Sequence, residues 1–141
     1  MRVFLDANIL FSAAWKSGAD AALLFDLAEA GDAHLTTSRL ALEEARRNIV
    51  RKRPARRSTL ERFVRRVSIG KEPFPSHLAA AREHGLPDMD VPILAAAIAQ
   101  RADLLVTGDR RDFGHLYGSS PEEVEVIDLP GAIERLLAAL D

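Results

Sequence analysis

An α/β fold in three layers, built on a mostly parallel sheet, is what this sequence predicts. Short apolar runs stand at 3–5, 104–106 and 124–127, the last broken only by Glu125. Strands buried on both faces of a parallel sheet take that form. Helical stretches separate them, and strands alternating with helices mark α/β layers joined by crossover connections. The first two runs lead into aspartates: Asp6 directly, and Asp109 after Thr107 and Gly108. Ligands of open α/β sheets bind outside the carboxyl ends of the strands. Both acids therefore stand where a site is expected.

Along the chain, "RVFLDANILF" (2–11) begins with a strand and leaves Asp6 two roles, a turn with a helix cap or membership of a site. The stretch 17–31 has apolar residues at helical spacing and Gly31 as a stop. "AHLTT" (33–37) is a weaker strand candidate. The stretch 38–52 starts at a Ser38 cap and ends before Pro54, which predicts a helix. A helix over 56–66 overlaps a second weak strand, "VRRVSI" (64–69). Helices are expected at 75–85 and 90–102, and a last one at 131–140. No repeat, low-complexity tract or linker interrupts the series, so 1–141 reads as a single domain.

Apolar residues at 48% and charged residues at 28% give the balance of a soluble globular chain. No apolar run approaches the roughly 18 residues of a membrane span. The N-terminus enters a strand directly, with no signal-type segment. Zero cysteines exclude a disulfide framework, a thiolate zinc site and a cysteine nucleophile. A cytoplasmic setting is expected. The net charge of −2 conceals a basic stretch at 46–66, which holds ten of the nineteen Lys and Arg residues against one acid, Glu61. Such clustering suits either a polyanion-binding face or a solvated helix face.

Further acids lie at helix starts or on helix faces. Asp88 and Asp90 precede an alanine-rich helix, where an aspartate serves as an N-cap. Glu43 and Glu44 sit inside the 38–52 helix. Arg39 and Arg47 flank Glu43 at four residues on either side, so surface ion pairs account for it. Glu44 shares its flank with Leu40, Ala41 and Asn48 and needs a further explanation. Each acid has an ordinary role when taken singly. Together they are four carboxylates from four elements that one sheet edge could gather. Such charges repel and raise one another's pKa unless a hard divalent cation sits among them. Magnesium and manganese prefer oxygen ligands of this kind. His34, His77, His84 and His115 are scattered, and no HExxH supports a zinc hydrolase.

The ordered set "FLDANIL", "SRLALEE" and "LPDMDVPILAAAIAQRADLLVTGDRRDF" resembles the PIN domain, a metal-dependent ribonuclease fold whose bacterial members include VapC toxins. The likeness runs from residue 2 to about 128 and is most specific at 88–113, with Asp90 nineteen residues before Asp109. It implies a central parallel sheet of about five strands flanked by helices. It also implies Asp6, Glu44, Asp90 and Asp109 as the catalytic acids, with Asp6, Asp90 and Asp109 as the principal ligands of Mg²⁺ or Mn²⁺. Glu44 is a ligand or orients the attacking water. Asn8 and Thr107 match positions that orient carboxylates, and Asp112 a further acidic position. Asp88 still competes with Asp90, and Glu43 with Glu44.

An RNA substrate, a possible antitoxin partner and pairing into a homodimer are implied as well. Arg51, Lys52 and Arg53 are the expected contacts to RNA phosphates. The main alternative is a PIN fold that binds RNA or protein without cleaving it. A phosphotransferase of the haloacid dehalogenase type would need a second aspartate where Asn8 stands. No GxGxxG follows the first strand to suggest a dinucleotide site.

Overall fold

The structure is a computed structural model that describes residues 1–140. In chain order the elements are β1 (Arg2–Leu5), α1 (Ala7–Trp15), α2 (Asp20–Ala30), β2 (His34–Thr37), α3 (Arg39–Lys52), α4 (Arg57–Val64) and β3 (Ser68–Ile69). Then follow α5 (Pro75–Arg82), α6 (Val91–Ala99), β4 (Leu104–Val106), the short α7 (Arg110–Phe113), β5 (Glu125–Ile127) and α8 (Leu129–Ala139). The five strands form one sheet in the order β3-β2-β1-β4-β5. Every strand pairing is parallel.

Central position explains composition. Val3, Phe4 and Leu5 on β1, and Leu104, Leu105 and Val106 on β4, are buried without exception. They pair in register, Leu5 opposite Val106. Burial of both sheet faces favours apolar residues at successive positions rather than alternation.

Among the helices, α1 packs on α2, α3 and α4, and α2 on α8, while α5 packs on α6. The chain steps from β1 to β2 to β3 in one direction, then returns across β1 to β4 and β5. Right-handed crossovers then put the two helix groups on opposite faces of the sheet, which gives three layers. Among the described residues no helix is long and apolar enough to cross a membrane.

Three local expectations need correction. Residues 7–15 form a separate helix, α1, which the sequence did not single out. Its segment is apolar at most positions and five of its nine residues are buried, so periodicity is weak there. The second weak strand shrinks from 64–69 to Ser68–Ile69, because α4 continues to Val64 and a turn follows. The 90–102 helix ends at Ala99, where Arg101 takes a left-handed backbone with φ 53°. Ser38 caps α3 as expected, its Oγ accepting the Ala41 N–H at 3.1 Å.

Candidate active site

The strand order reverses direction between β1 and β4, and the crevice at such a switch point is where α/β sheets bind ligands. Asp6 leaves β1 at this point, held by its backbone N–H donating to Val106 O at 3.0 Å. Thr107 leaves β4 beside it and donates its backbone N–H to Ile127 O at 3.1 Å. The sheet register thus sets two chain-distant residues side by side.

Asp6 is both a cap and a site residue. One carboxylate oxygen accepts the Ala7 N–H at 2.7 Å at the start of α1. The other accepts the Thr107 hydroxyl at 2.8 Å and the Asn8 amide at 3.3 Å. Thr107 Oγ1 in turn accepts the Asp109 N–H at 3.1 Å and a bond from Asn8 Nδ2 at 3.3 Å. Asn8 Oδ1 accepts the Gly108 N–H at 2.8 Å. Asn8 and Thr107 therefore fasten the two strand ends together. Tyr117 supports the same turn from behind, its hydroxyl donating to Thr107 O at 2.8 Å. Desolvation by burial pushes Asp6 up to about 6, despite the bonds from Thr107 and Ala7 that oppose it. Glu44 and Asp109 add like-charge repulsion.

Asp90, Asp109 and Asp112 form the tightest acidic group among the described residues. Each offers a carboxylate oxygen, and these atoms all lie within 4.8 Å of one another. Asp90 stands at the N-cap of α6 but makes no side-chain cap bond, so its carboxylate is left to the cluster. Asp109 caps α7, accepting the Asp112 N–H at 3.1 Å, and this one-turn helix folds Asp112 back toward it. Asp90 is pushed up to about 7, first by desolvation and then by its close approach to Asp112. Three carboxylates at this spacing hold a proton where a cation is absent.

Asp6, Asn8, Glu44, Asp90 and Asp109 line one cleft of about 290 Å³. Asp6 stands in it but outside the tightest group, which takes Asp112 instead. Asp88 is exposed and does not line the cleft. Glu43 does not line it either, and its expected arginine pairs do not form; Arg39 reaches toward Glu72 at 4.0 Å instead. Asn48, Lys52 and Phe11 also line the cleft. Glu44, Asn48 and Lys52 recur every four residues on α3, a stripe running from the acids to a cation. The sequence points to Glu44 and Lys52 separately, and their shared four-residue spacing is the signal that joins them.

The basic stretch divides into structural and free groups. Arg46 makes a two-point pair with Glu61 at 2.7 and 2.9 Å. Arg66 bridges Asp26 and Glu29. Arg53 and Arg56 donate to the Trp15 and Ala14 carbonyls and so complete the last turn of α1. The Arg53 guanidinium also lies 5.1 Å from the Trp15 ring centre. Lys52 sits over Phe11, 5.6 Å from the ring centre, at the mouth of the cleft. Arg51 is exposed and forms no ion pair among the described residues.

A PIN domain model matches residues 2–111, most of the chain. The chain belongs to the PIN domain family. Two solved structures share its fold. VapBC2 from Rickettsia felis, bound to a DNA fragment from its promoter, superposes with a TM-score of 0.66 at 20% identity, covering 91% of this chain and 98% of that one. FitAB bound to an IR36 DNA fragment superposes with a TM-score of 0.58 at 19% identity, covering 90% and 94%. No curated protein matches the sequence.

The donor set of this PIN domain suits a hard divalent cation. The titratable groups lining the cleft are carboxylates and Lys52, with no histidine or cysteine among them. Oxygen-only donors favour Mg²⁺ or Mn²⁺ over zinc. Asp90, Asp109 and Asp112 are spaced to share one ion.

Proposed function

We propose that this PIN domain is a Mg²⁺- or Mn²⁺-dependent endoribonuclease acting in the cytoplasm as the toxin of a toxin–antitoxin pair. The observation that carries it is the cluster of Asp90, Asp109 and Asp112 at the strand switch point, with Asp6 and Glu44 in the same cleft. Asp90, Asp109 and Asp112 would hold the cation, with Asp6 a further ligand directly or through water. The cation would supply Lewis acidity and charge neutralisation for phosphodiester hydrolysis. Glu44, exposed to solvent at the cleft wall, orients the attacking water. Asn8 and Thr107 keep Asp6 fixed, and Asp109 is fixed through its N–H bond to Thr107. Lys52, placed between the acids and open solvent, holds an RNA phosphate, aided by Arg51. Arg53 acts more through α1, whose last turn it completes.

An antitoxin partner is supported by the two neighbours, VapBC2 and FitAB, which are toxin–antitoxin proteins bound to DNA fragments. A homodimer is supported by Leu23 on α2, Leu137 on the adjoining α8 and Leu140 just past its end, all exposed apolar residues. A short reading frame just upstream of the gene would test the antitoxin. Titration of Mn²⁺ into wild type and Asp109→Asn tests the metal site. Saturable binding lost in the variant is expected, and binding by neither protein favours a PIN fold that does not cleave.

A further inference from the structure

A second cavity, of about 540 Å³, opens elsewhere on the protein, around the amino ends of β1 and β2. Arg2, His34, Lys71 and Arg101 line it together with Thr36 and Gln100, and no acid does. Arg2, Lys71 and Arg101 form no ion pair among the described residues. The acids nearest to Arg101 and Lys71 in sequence lie outside the lining: Asp103 accepts the Arg2 backbone N–H at 2.7 Å, and Glu72 lies toward Arg39. Three cations around a concave surface create a positive potential that only an anion relieves.

The backbone and the floor of this cavity are specified with care. Arg101 sits just past α6 with φ 53°, where Ala102 N–H returns to Ala97 O and Arg101 N–H to Ile98 O. Glycine is the usual residue at such a helix end, because a side chain is strained there. The chain carries an arginine instead, and it lines the cavity. Arg2 Nη1 is fixed on Gln100 O at 2.9 Å. The buried Gln100 side chain bonds Thr36 Oγ1 at 2.6 Å and Thr37 O at 3.1 Å. It passes so close to Gly70 that a Cβ there would lie 2.2 Å from its Cδ. Beside Lys71 but outside the cavity lining, the Phe74 ring stacks on His77 and has the Lys71 ammonium 6.0 Å from its centre.

We propose that this cavity is a second binding site, separate from the acidic cleft, for a phosphate-bearing ligand of mononucleotide size. Its volume lies in the range of small-molecule sites. Arg2, Lys71 and Arg101 take the phosphate by charge-assisted hydrogen bonds, and the remaining volume takes the nucleoside.

Calorimetric titration with 5′-AMP, inorganic phosphate and adenosine tests it on the wild type, Arg101→Gly, Lys71→Gln and Asp90→Asn. Arg101→Gly removes the cation and also relieves the backbone, so this variant should melt higher than the wild type. The expected result is 5′-AMP binding that weakens about tenfold in Arg101→Gly and in Lys71→Gln, with adenosine weakest of the three ligands. Asp90→Asn should bind 5′-AMP as the wild type does. Absence of binding to wild type, adenosine binding as tight as 5′-AMP, or undiminished affinity in the two cation variants would each overturn the site.

Discussion

Thr107 donates its hydroxyl to Asp6 across 2.8 Å, joining residues 101 positions apart at the ends of neighbouring strands. Both are buried, and Thr107 Oγ1 is also the acceptor for Asp109 N–H and Asn8 Nδ2. One hydroxyl therefore couples the β1 acid to the β4 acid.

Thr107→Val keeps the shape and removes that hydroxyl. It leaves two donors without their acceptor and Asp6 without its strongest opposing bond. A loss of about 1–3 kcal/mol in unfolding free energy is expected, with reduced RNA cleavage. Urea denaturation beside a cleavage assay measures both. Unchanged stability would mean that water replaces the hydroxyl without cost.

Metal-free stability should depend on pH through Asp6 and Asp90. Both are held above the ordinary carboxylate value, at about 6 and about 7. The folded state then binds protons more tightly than the unfolded chain. Their favourable contribution is complete below about pH 4 and is lost as pH rises through 6 and 7. In chelator, Asp90→Asn should melt higher than wild type near pH 8 and equal to it near pH 4. Thermal melts across that range decide it, and equal melting at both ends would remove the repulsion assigned to Asp90.

Substitution should separate Lys52 from Arg53, which stand side by side in the basic stretch. Lys52→Gln should weaken binding of single-stranded RNA and flatten the slope of its salt dependence by roughly 0.7 for each phosphate no longer neutralised. Arg53→Gln should instead lower the melting temperature, because its guanidinium completes the end of α1 and covers Trp15. Filter binding at several salt concentrations, with parallel melts, distinguishes the two effects. RNA affinity that Lys52→Gln leaves intact would remove the lysine from the substrate path.

The neighbouring acids should also divide. Asp90→Ala and Glu44→Ala should abolish cleavage under saturating Mn²⁺, while Asp88→Ala and Glu43→Ala should retain it. Only the first two residues line the cleft. A dead Asp88→Ala enzyme would shift the active aspartate by two positions.

The legible parts of this molecule were those whose burial leaves a one-dimensional trace. β1 and β4 are central, so their residues are apolar in succession and both were readable, as was the acid after each. The helix α1 was missed because apolar residues spread around it and blur its period. β3 has two exposed residues, and its hydrogen bonds come from pairing with β2 rather than from its own composition. Asp112 was marked only by the PIN resemblance, as a further acidic position, and its place beside Asp90 comes from the turn of α7 and the start of α6. The amino-edge cavity left no motif, as Arg2, Lys71 and Arg101 meet only in three dimensions.

The most direct measurement is cleavage of an end-labelled single-stranded RNA by purified protein, first in chelator, then after restoring Mn²⁺, with folded Asp90→Asn alongside. The acidic cluster as a metal-dependent nuclease centre predicts no cleavage in chelator, recovery with Mn²⁺, and none from the variant in either condition. Cleavage that persists in chelator, or that Asp90→Asn performs as well as the wild type, would contradict it.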